Sequence, residues 1–402
     1  MDAAARALGA VLLGIGLGAV FALPAAAQQR VKIGILNDMS GVYSDQSGPG
    51  SVVAAQMAID EFKAANPNVP VDLVSADHLN KADVATAIAR RWFDQEGVDM
   101  IADLQNSAIS LAVQHLANQA KKISIATSSV TPDLYGKACS PTGIHWAMDP
   151  HSLAIGPVQG LADKKKWFFL TVDLGGGHLF EAAGIAAVKA QGGTVVGNGR
   201  HPLGTADMSS YLLKAQTLGA EVIGLANAGQ DAINSIKGAN EFGLTAAGVL
   251  VAPMLFHDSD IKAVGLPLTK GMVFGTNYYW DQNEGTRAFG KAFFERFKRM
   301  PTDYQANIYA SVRHYLKGVA AAKSTDSTAV MARMRDLPIE LFGGATGALR
   351  PDGRVTYDVY VMQVKSPSES KGEWDLLKPL RQLPAAEAFR PLSASECPLL
   401  PK

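Results

Sequence analysis

Val31-Lys32-Ile33-Gly34-Ile35-Leu36 is a compact apolar strand, and the reading of the whole chain turns on where it stands. It follows almost directly on Ala25-Ala26-Ala27, a run of small residues. Before that run, the stretch from Ala7 to Ala22 is apolar and rich in Leu, Gly and Ala, with Arg6 ahead of it. This order reads as a secretory signal over residues 1–27, cleaved near Ala27. Asp2 is unusual at the start of such a signal, and the other reading is a single anchoring helix. The apolar run is short for a membrane span, however, and no other segment approaches one. An α/β chain placed outside the cytoplasm leaves out most metabolic enzymes. It favours a protein that meets small solutes at the cell boundary.

Outward from that strand, short apolar runs recur at Val71–Ala76, Met100–Ala102, Ile123–Ala126, Trp167–Val172, Thr194–Val196, Glu221–Ala226, Val249–Ala252 and Met272–Thr276. Helical patterns lie between them. In Lys81–Glu96, Val84, Ile88 and Trp92 fall on one face, and in Ser107–Lys121 so do Ile109, Val113 and Leu116. His178–Gln191, Met208–Leu218, Gln230–Phe242, Thr286–Lys298 and Gln305–Ala322 also have helical length and spacing. Strands alternating with such helices predict right-handed βαβ units and largely parallel sheets. The first four strands form one set, ending in the loop-rich stretch Cys139–Pro150. Five more, beginning at Trp167, form a second. After Thr276 long helices follow, which most simply return to the first set, and Tyr357–Lys365 is a further apolar strand.

A chain of 402 residues is too long for one ordinary core and suits two lobes. Lys+Arg and Asp+Glu are both 37, so nothing electrostatic calls for nucleic acid. With 48% hydrophobic and 18% charged residues, the chain is a folded globule and not a disordered one. Its two cysteines, Cys139 and Cys397, lie in loop-like sequence among Pro and Ser. In an oxidising compartment they are expected to pair, against the alternative of two unrelated buried thiols.

Catalytic signatures are missing. There is no G-x-S-x-G elbow, no phosphate-loop motif, no H-E-x-x-H, and the loop after the first strand is Asn37-Asp38-Met39-Ser40-Gly41 and not G-x-G-x-x-G. The eight histidines have no ligand spacing, so neither metal nor cofactor is expected. In open parallel sheets, ligands collect at the carboxyl ends of the strands. Those ends carry Tyr43, Ser44 and Asp45 after the first strand, Asn106, Ser107 and Ala108 after the third, and Thr127, Ser128, Ser129 and Thr131 after the fourth. In the second set come Asp173, then Asn227 and Gln230, then Asn277, Tyr278, Tyr279 and Trp280. Hydroxyls and helix-start N–H groups suit a carboxylate, and aromatics suit the walls of a small-molecule pocket. Taken singly, Ser107 reads as a helix N-cap and Thr127–Thr131 as a polar loop. Tyr278-Tyr279-Trp280 reads equally as a hinge-packing cluster.

The strand Val31–Leu36 with Asp38-Met39-Ser40-Gly41 and Gly48-Pro49-Gly50 resembles the opening of the Leu/Ile/Val-type periplasmic solute-binding proteins of ABC importers. Asn106-Ser107, Thr127-Ser128-Ser129, Asn227-Ala228-Gly229 and Arg350-Pro351-Asp352-Gly353-Arg354 fall where that family has recurring segments, and the similarity runs over about residues 30–385. The resemblance implies the type I fold: two Rossmann-like lobes with mostly parallel sheets, joined by a multi-strand hinge and closing over a solute. It implies a first lobe of residues 28–148 with 277–355, a second of 149–276 with 356–388, and a tail, 389–402, returning to the first. It implies a periplasmic monomer, not an enzyme, that hands a carboxylate-bearing solute to an inner-membrane ABC permease. Asn106–Ala108 and Thr127–Ser129 would hold the carboxylate, while Asn227, Gln230 and Tyr278 would engage on closure. After Asp173, Leu174-Gly175-Gly176-Gly177 stands where the family often has aromatics, which would leave one wall short of side chain. The solute is then an amino acid, an aromatic or keto acid, or a related amide. Asp231 is the nearest acid for an ammonium, with its direction open. Two other roles remain: a ligand-sensing regulator or receptor ectodomain, against which the lack of a C-terminal span or effector domain counts, and an exported enzyme, disfavoured by the missing motifs.

Overall fold

The computed structural model describes residues 30–401, so the expected signal peptide lies outside the described residues. The first sheet is built from β1 (Val31–Asn37), β2 (Val71–Asp77), β3 (Met100–Asp103), β4 (Ile123–Ala126) and β5 (Gly143–His145). All pairs are parallel, and the order is β2-β1-β3-β4-β5. In β1 every residue but Lys32 is buried, the pattern of a strand covered on both faces. The cover is α1 (Gly48–Ala65), α2 (Ala82–Asp94) and α3 (Ser107–Gln119).

The chain then enters α4 (Pro150–Gly160). Asp149 and Ser152 close a capping box there, with Pro150 at the first helical position. The second parallel sheet consists of β6 (Lys166–Val172), β7 (Thr194–His201), β8 (Val222–Ala226) and β9 (Leu250–Pro253), in the order β7-β6-β8-β9. Its helices are α5 (Gly175–Ala190), α6 (Ser209–Thr217), α7 (Gln230–Glu241), α8 (Asp258–Val264) and α9 (Leu266–Thr269). In both sheets the first strand lies inside the second, so each has a switch point beside its first strand, where ligands collect in open α/β sheets.

The expectation of five strands in the second set is corrected by the next element. Met272–Thr276 is a strand, β10 (Val273–Thr276), but it leaves the parallel sheet. After α10 (Glu284–Phe297), α11 (Asp303–Ala322), α12 (Ser327–Asp336) and the short strands β11 (Ile339–Glu340), β12 (Thr346–Leu349) and β13 (Val355–Thr356) come β14 (Val359–Val364) and β15 (Leu377–Leu383). β10 pairs antiparallel with β14, and β14 with β15. There α4 packs against β10. β14 is the strand expected over Tyr357–Lys365. The long helices do return: α11 lies along α1. β7 runs past its expected end at Val196, because Gly197 and Gly199 are strand residues that α6 crosses closely. A Cβ at Gly199 would meet the Tyr211 ring at 2.9 Å.

Cys139 and Cys397 are joined, with Cα atoms 5.6 Å apart, which fixes the tail over the first lobe. Phe389 of that tail covers the guanidinium of the fully buried Arg354.

Candidate functional site

The loops leaving the carboxyl ends of the two parallel sheets face one another across a cavity of about 70 Å³. From the first lobe come Tyr43 and Gln46 after β1, Gln105, Asn106 and Ser107 after β3, and Ser128 and Val130 after β4. From the second come Leu174, Gly176, Gly177 and Phe180 after β6, Asn227 and Ala228 after β8, and Leu255 after β9. Tyr304, near the start of α11, completes the wall.

The loop after β3 is the most constrained part of the site. Asp103, Leu104 and Asn106 all have positive φ, at 84°, 62° and 73°, conformations that cost about 1–3 kcal/mol each for non-glycine residues. The Asp103 carboxylate holds the loop from beneath. It accepts from Asn37 at 2.7 Å and from the hydroxyls of Ser128 and Thr127 at 2.5 and 3.3 Å. Burial nevertheless raises its pKa, those donors only partly opposing it. Asn106 then caps α3, accepting from the Ala108 N–H at 3.1 Å, so that α3 begins at the cavity with Ser107.

Five of the residues expected from sequence line the cavity: Tyr43, Asn106, Ser107, Ser128 and Asn227. The others lie elsewhere. Ser44 bonds back to Gly41. Ala108 has its N–H on the Asn106 cap, and Thr127 is turned to Asp103. Ser129 is buried against the Ser110 hydroxyl at 2.7 Å. Asp173 is an exposed partner of His178. The Gln230 side chain points along α7 to Asn234, although its backbone N–H reaches the Val42 carbonyl of the facing lobe at 3.3 Å. Tyr278 is buried among Phe289 and Phe342, its hydroxyl on the Thr286 carbonyl, so it belongs to the packing cluster. Asp231 does not line the cavity; its Oδ2 accepts from the Gly204 N–H, while its buried Oδ1 has no partner. Burial raises its pKa against that bond.

Gln46, Gln105, Phe180 and Tyr304 were not foreseen. Tyr304 comes from a helix 261 positions beyond Tyr43, which no local pattern announces. Phe180 follows β6 by one helical turn of α5, a spacing that would have found it. Gly176 and Gly177 line the cavity without side chains, and a Cβ at Gly176 would stand 3.4 Å from the Ser107 hydroxyl across it.

The chemistry of the lining is neutral. Among the described residues around the cavity none is Asp, Glu, Lys or Arg. Three buried polar atoms on it have no partner: Gln105 Oε1, Asn227 Oδ1 and the Tyr304 hydroxyl. Asn227 is held by its amide nitrogen, which donates to His201 at 2.9 Å and Ser235 at 3.1 Å. Tyr43, Phe180 and Tyr304 supply aromatic surface. The arrangement offers hydrogen bonds and apolar walls to a small molecule. Among the described residues, no group of three or more His, Cys, Asp and Glu is placed to hold a metal ion.

The family described as periplasmic binding protein matches residues 30–373. A crystal structure of a periplasmic binding protein from Burkholderia mallei is 40% identical and superposes with a TM-score of 0.88, covering 93% of this chain and 99% of its own. A branched chain amino acid ABC transporter periplasmic ligand-binding protein from Burkholderia xenovorans LB400 is 38% identical, with a TM-score of 0.80 over 92% of this chain and 99% of its own. A Leu/Ile/Val-binding protein homolog of Brucella suis is 27% identical over 83% of this chain and 87% of its own.

Proposed function

The chain belongs to the periplasmic binding protein family, and from that premise we propose that its cleft takes a small organic acid without an ammonium group. Membership gives it a solute-binding role and a periplasmic location. The finer reading is a monomer, released by cleavage near Ala27, that closes on its solute without turnover and delivers it to an inner-membrane ABC permease.

The neutral lining carries this reading. An α-amino acid brings an ammonium, and desolvating that charge without a carboxylate partner costs several kcal/mol. The nearest candidate, Asp231, has one oxygen on the Gly204 N–H and one without a partner, and it does not line the cavity. A carboxylate alone is well served. The start of α3 and the Ser107 hydroxyl offer donors beside the positive end of a helix dipole. Tyr43, Phe180 and Tyr304 suit an aromatic or branched apolar body, and the free oxygens of Gln105 and Asn227 suit a hydroxyl at its far end. These features favour an aromatic or keto acid over leucine.

A thermal-shift comparison of leucine, its keto acid 4-methyl-2-oxopentanoate, and 4-hydroxybenzoate tests the point. A solute at 100 times its Kd adds about 2.7 kcal/mol of stability. One of the two acids is expected to raise the melting temperature and leucine to leave it unchanged. A shift with leucine alone would overturn the proposal.

A further inference from the structure

Behind the cavity, two buried hydrogen bonds cross between the lobes. His257 Nδ1 lies 2.6 Å from Asp303, and the Gln46 amide donates to Asp260 at 3.4 Å. His257, Asp258 and Asp260 stand on the second lobe, in the turn after β9 and at the start of α8, which packs on α7. Asp303 and Tyr304 open α11, which packs on α1, and Gln46 follows β1. All of the cluster's ionisable groups are at least nine-tenths buried. Asp258 Oδ2, Asp260 Oδ1 and His257 Nε2 have no hydrogen-bond partner. Three carboxylates thus share one imidazole in a buried place between the lobes.

We propose that closing the lobes takes up protons at this junction, so that acid favours the closed form. Two carboxylate oxygens are buried without a donor, and a charge left on them is costly to desolvate, whereas a proton removes that cost. The groups around the junction agree in sign. Burial raises Asp258, with Asp303 and Asp260 adding to it and His257 opposing, to about 8. Burial raises Asp260 to about 6, with His257 and the Gln46 bond opposing and Asp45 adding. Burial works against the His257 charge, but Asp303, Asp260 and Asp258 outweigh it and raise its pKa. Tyr278 and Tyr279 face Asp258 from the end of β10, and the Tyr304 ring lies tilted against His257, 4.7 Å between centres; burial keeps all three hydroxyls neutral. Asp45 is paired outward with Arg299.

Each of the three groups has a higher pKa closed than its ordinary value. Their contribution to closure is therefore fully present below the ordinary value and is lost as pH rises through the closed one. This rests on lobe closure and not on which solute is bound.

Small-angle scattering from the solute-free protein, residues 28–402 with the disulfide intact, tests it at pH 5.5 and pH 9. The radius of gyration is expected to be smaller at pH 5.5. In Asp258→Asn/Asp260→Asn most of the change is expected to be lost, because the amides are neutral throughout and only His257 beside Asp303 still titrates. Asp258→Asn alone should lessen the change if the double variant does not fold. A wild-type radius that does not depend on pH would overturn the proposal, as would a full pH response in either variant.

Discussion

The Ser128 hydroxyl donates to the Asp103 carboxylate at 2.5 Å, from beneath the cavity it borders. The polar run after β4 thus serves a buried charge before it serves a solute. Ser128→Ala is expected to lower stability by about 1–3 kcal/mol, the usual cost of a lost donor to a buried group. Asp103 already has a raised pKa because of its burial, and losing a donor raises it further. The deficit should therefore be largest at neutral and alkaline pH and shrink as acid protonates the carboxyl. Urea titrations at pH 7.5 and pH 5 measure this, and an equal loss at both would contradict it.

Ser107 and Ser129 are three and nineteen positions from Ser110, whose hydroxyl donates to the Ser107 carbonyl and meets the Ser129 hydroxyl, so only Ser129 engages it with a side chain. Ser107→Ala is expected to weaken binding of the solute found by the thermal panel several-fold, one hydrogen bond to a charged group contributing about 1.5–3 kcal/mol. Its melting temperature should not move. Ser129→Ala should do the reverse, lowering stability and sparing affinity. Calorimetry and thermal melts on both variants separate the roles.

Gly229 stands at the start of α7 with φ of 58°, a backbone that glycine adopts freely. A Cβ there would lie 2.3 Å from the Val42 carbonyl oxygen, which belongs to the facing lobe. That oxygen does not move as a flexible side chain would, so Gly229→Ala should keep the lobes apart. Affinity is expected to fall by at least about tenfold, equivalent to 1.4 kcal/mol. Scattering with saturating solute should keep the larger radius. A variant that closes normally would show that the two loops separate without cost.

The fold was legible where burial leaves a continuous apolar run. All nine strand seeds from Val31 to Thr276 begin within a residue or two of a real strand. β5, three residues long, is below the length at which periodicity speaks, and β15 is a largely exposed edge interrupted by Pro379. α4 was missed: it starts at Pro150, where the loop-rich stretch ends, and holds Pro157 inside, although Asp149 and Ser152 give a capping signal. At the site, position after a strand told which loops meet. It did not tell which way a side chain turns. Thr127 and Ser128 are neighbours, and both hydroxyls serve Asp103, yet only Ser128 also lines the cavity. Direction depends on buried partners such as Asp103 that sequence does not display as partners.

Arg354 gives the most demanding prediction, because it is wholly buried where the chain passes from β12 to β13. Its guanidinium donates to His145 and to the Ala147 carbonyl, and lies 4.3 Å from the Phe389 ring centre. Nearby, Asp149 caps α4 and accepts from the Tyr135 hydroxyl. Burial acts to raise the pKa of Asp149, but Arg354 first, then the Tyr135 and Ser152 donors, outweigh it and hold the carboxyl down to about 2. A depressed carboxyl contributes stability that is present above its ordinary value of about 3.9 and is lost as pH falls toward 2. Arg354→Met would leave the buried carboxylate without its cation, at a cost of about 3–5 kcal/mol at pH 7. Burial would then dominate and carry the Asp149 pKa upward. The variant's deficit should shrink as pH falls through the carboxylate range, and Arg354→Met/Asp149→Asn should recover much of it at pH 7. Denaturant midpoints of the three proteins at pH 7 and pH 4 decide the matter. A double variant no more stable than Arg354→Met would show that the guanidinium acts through packing on Phe389 and not through the charge of Asp149.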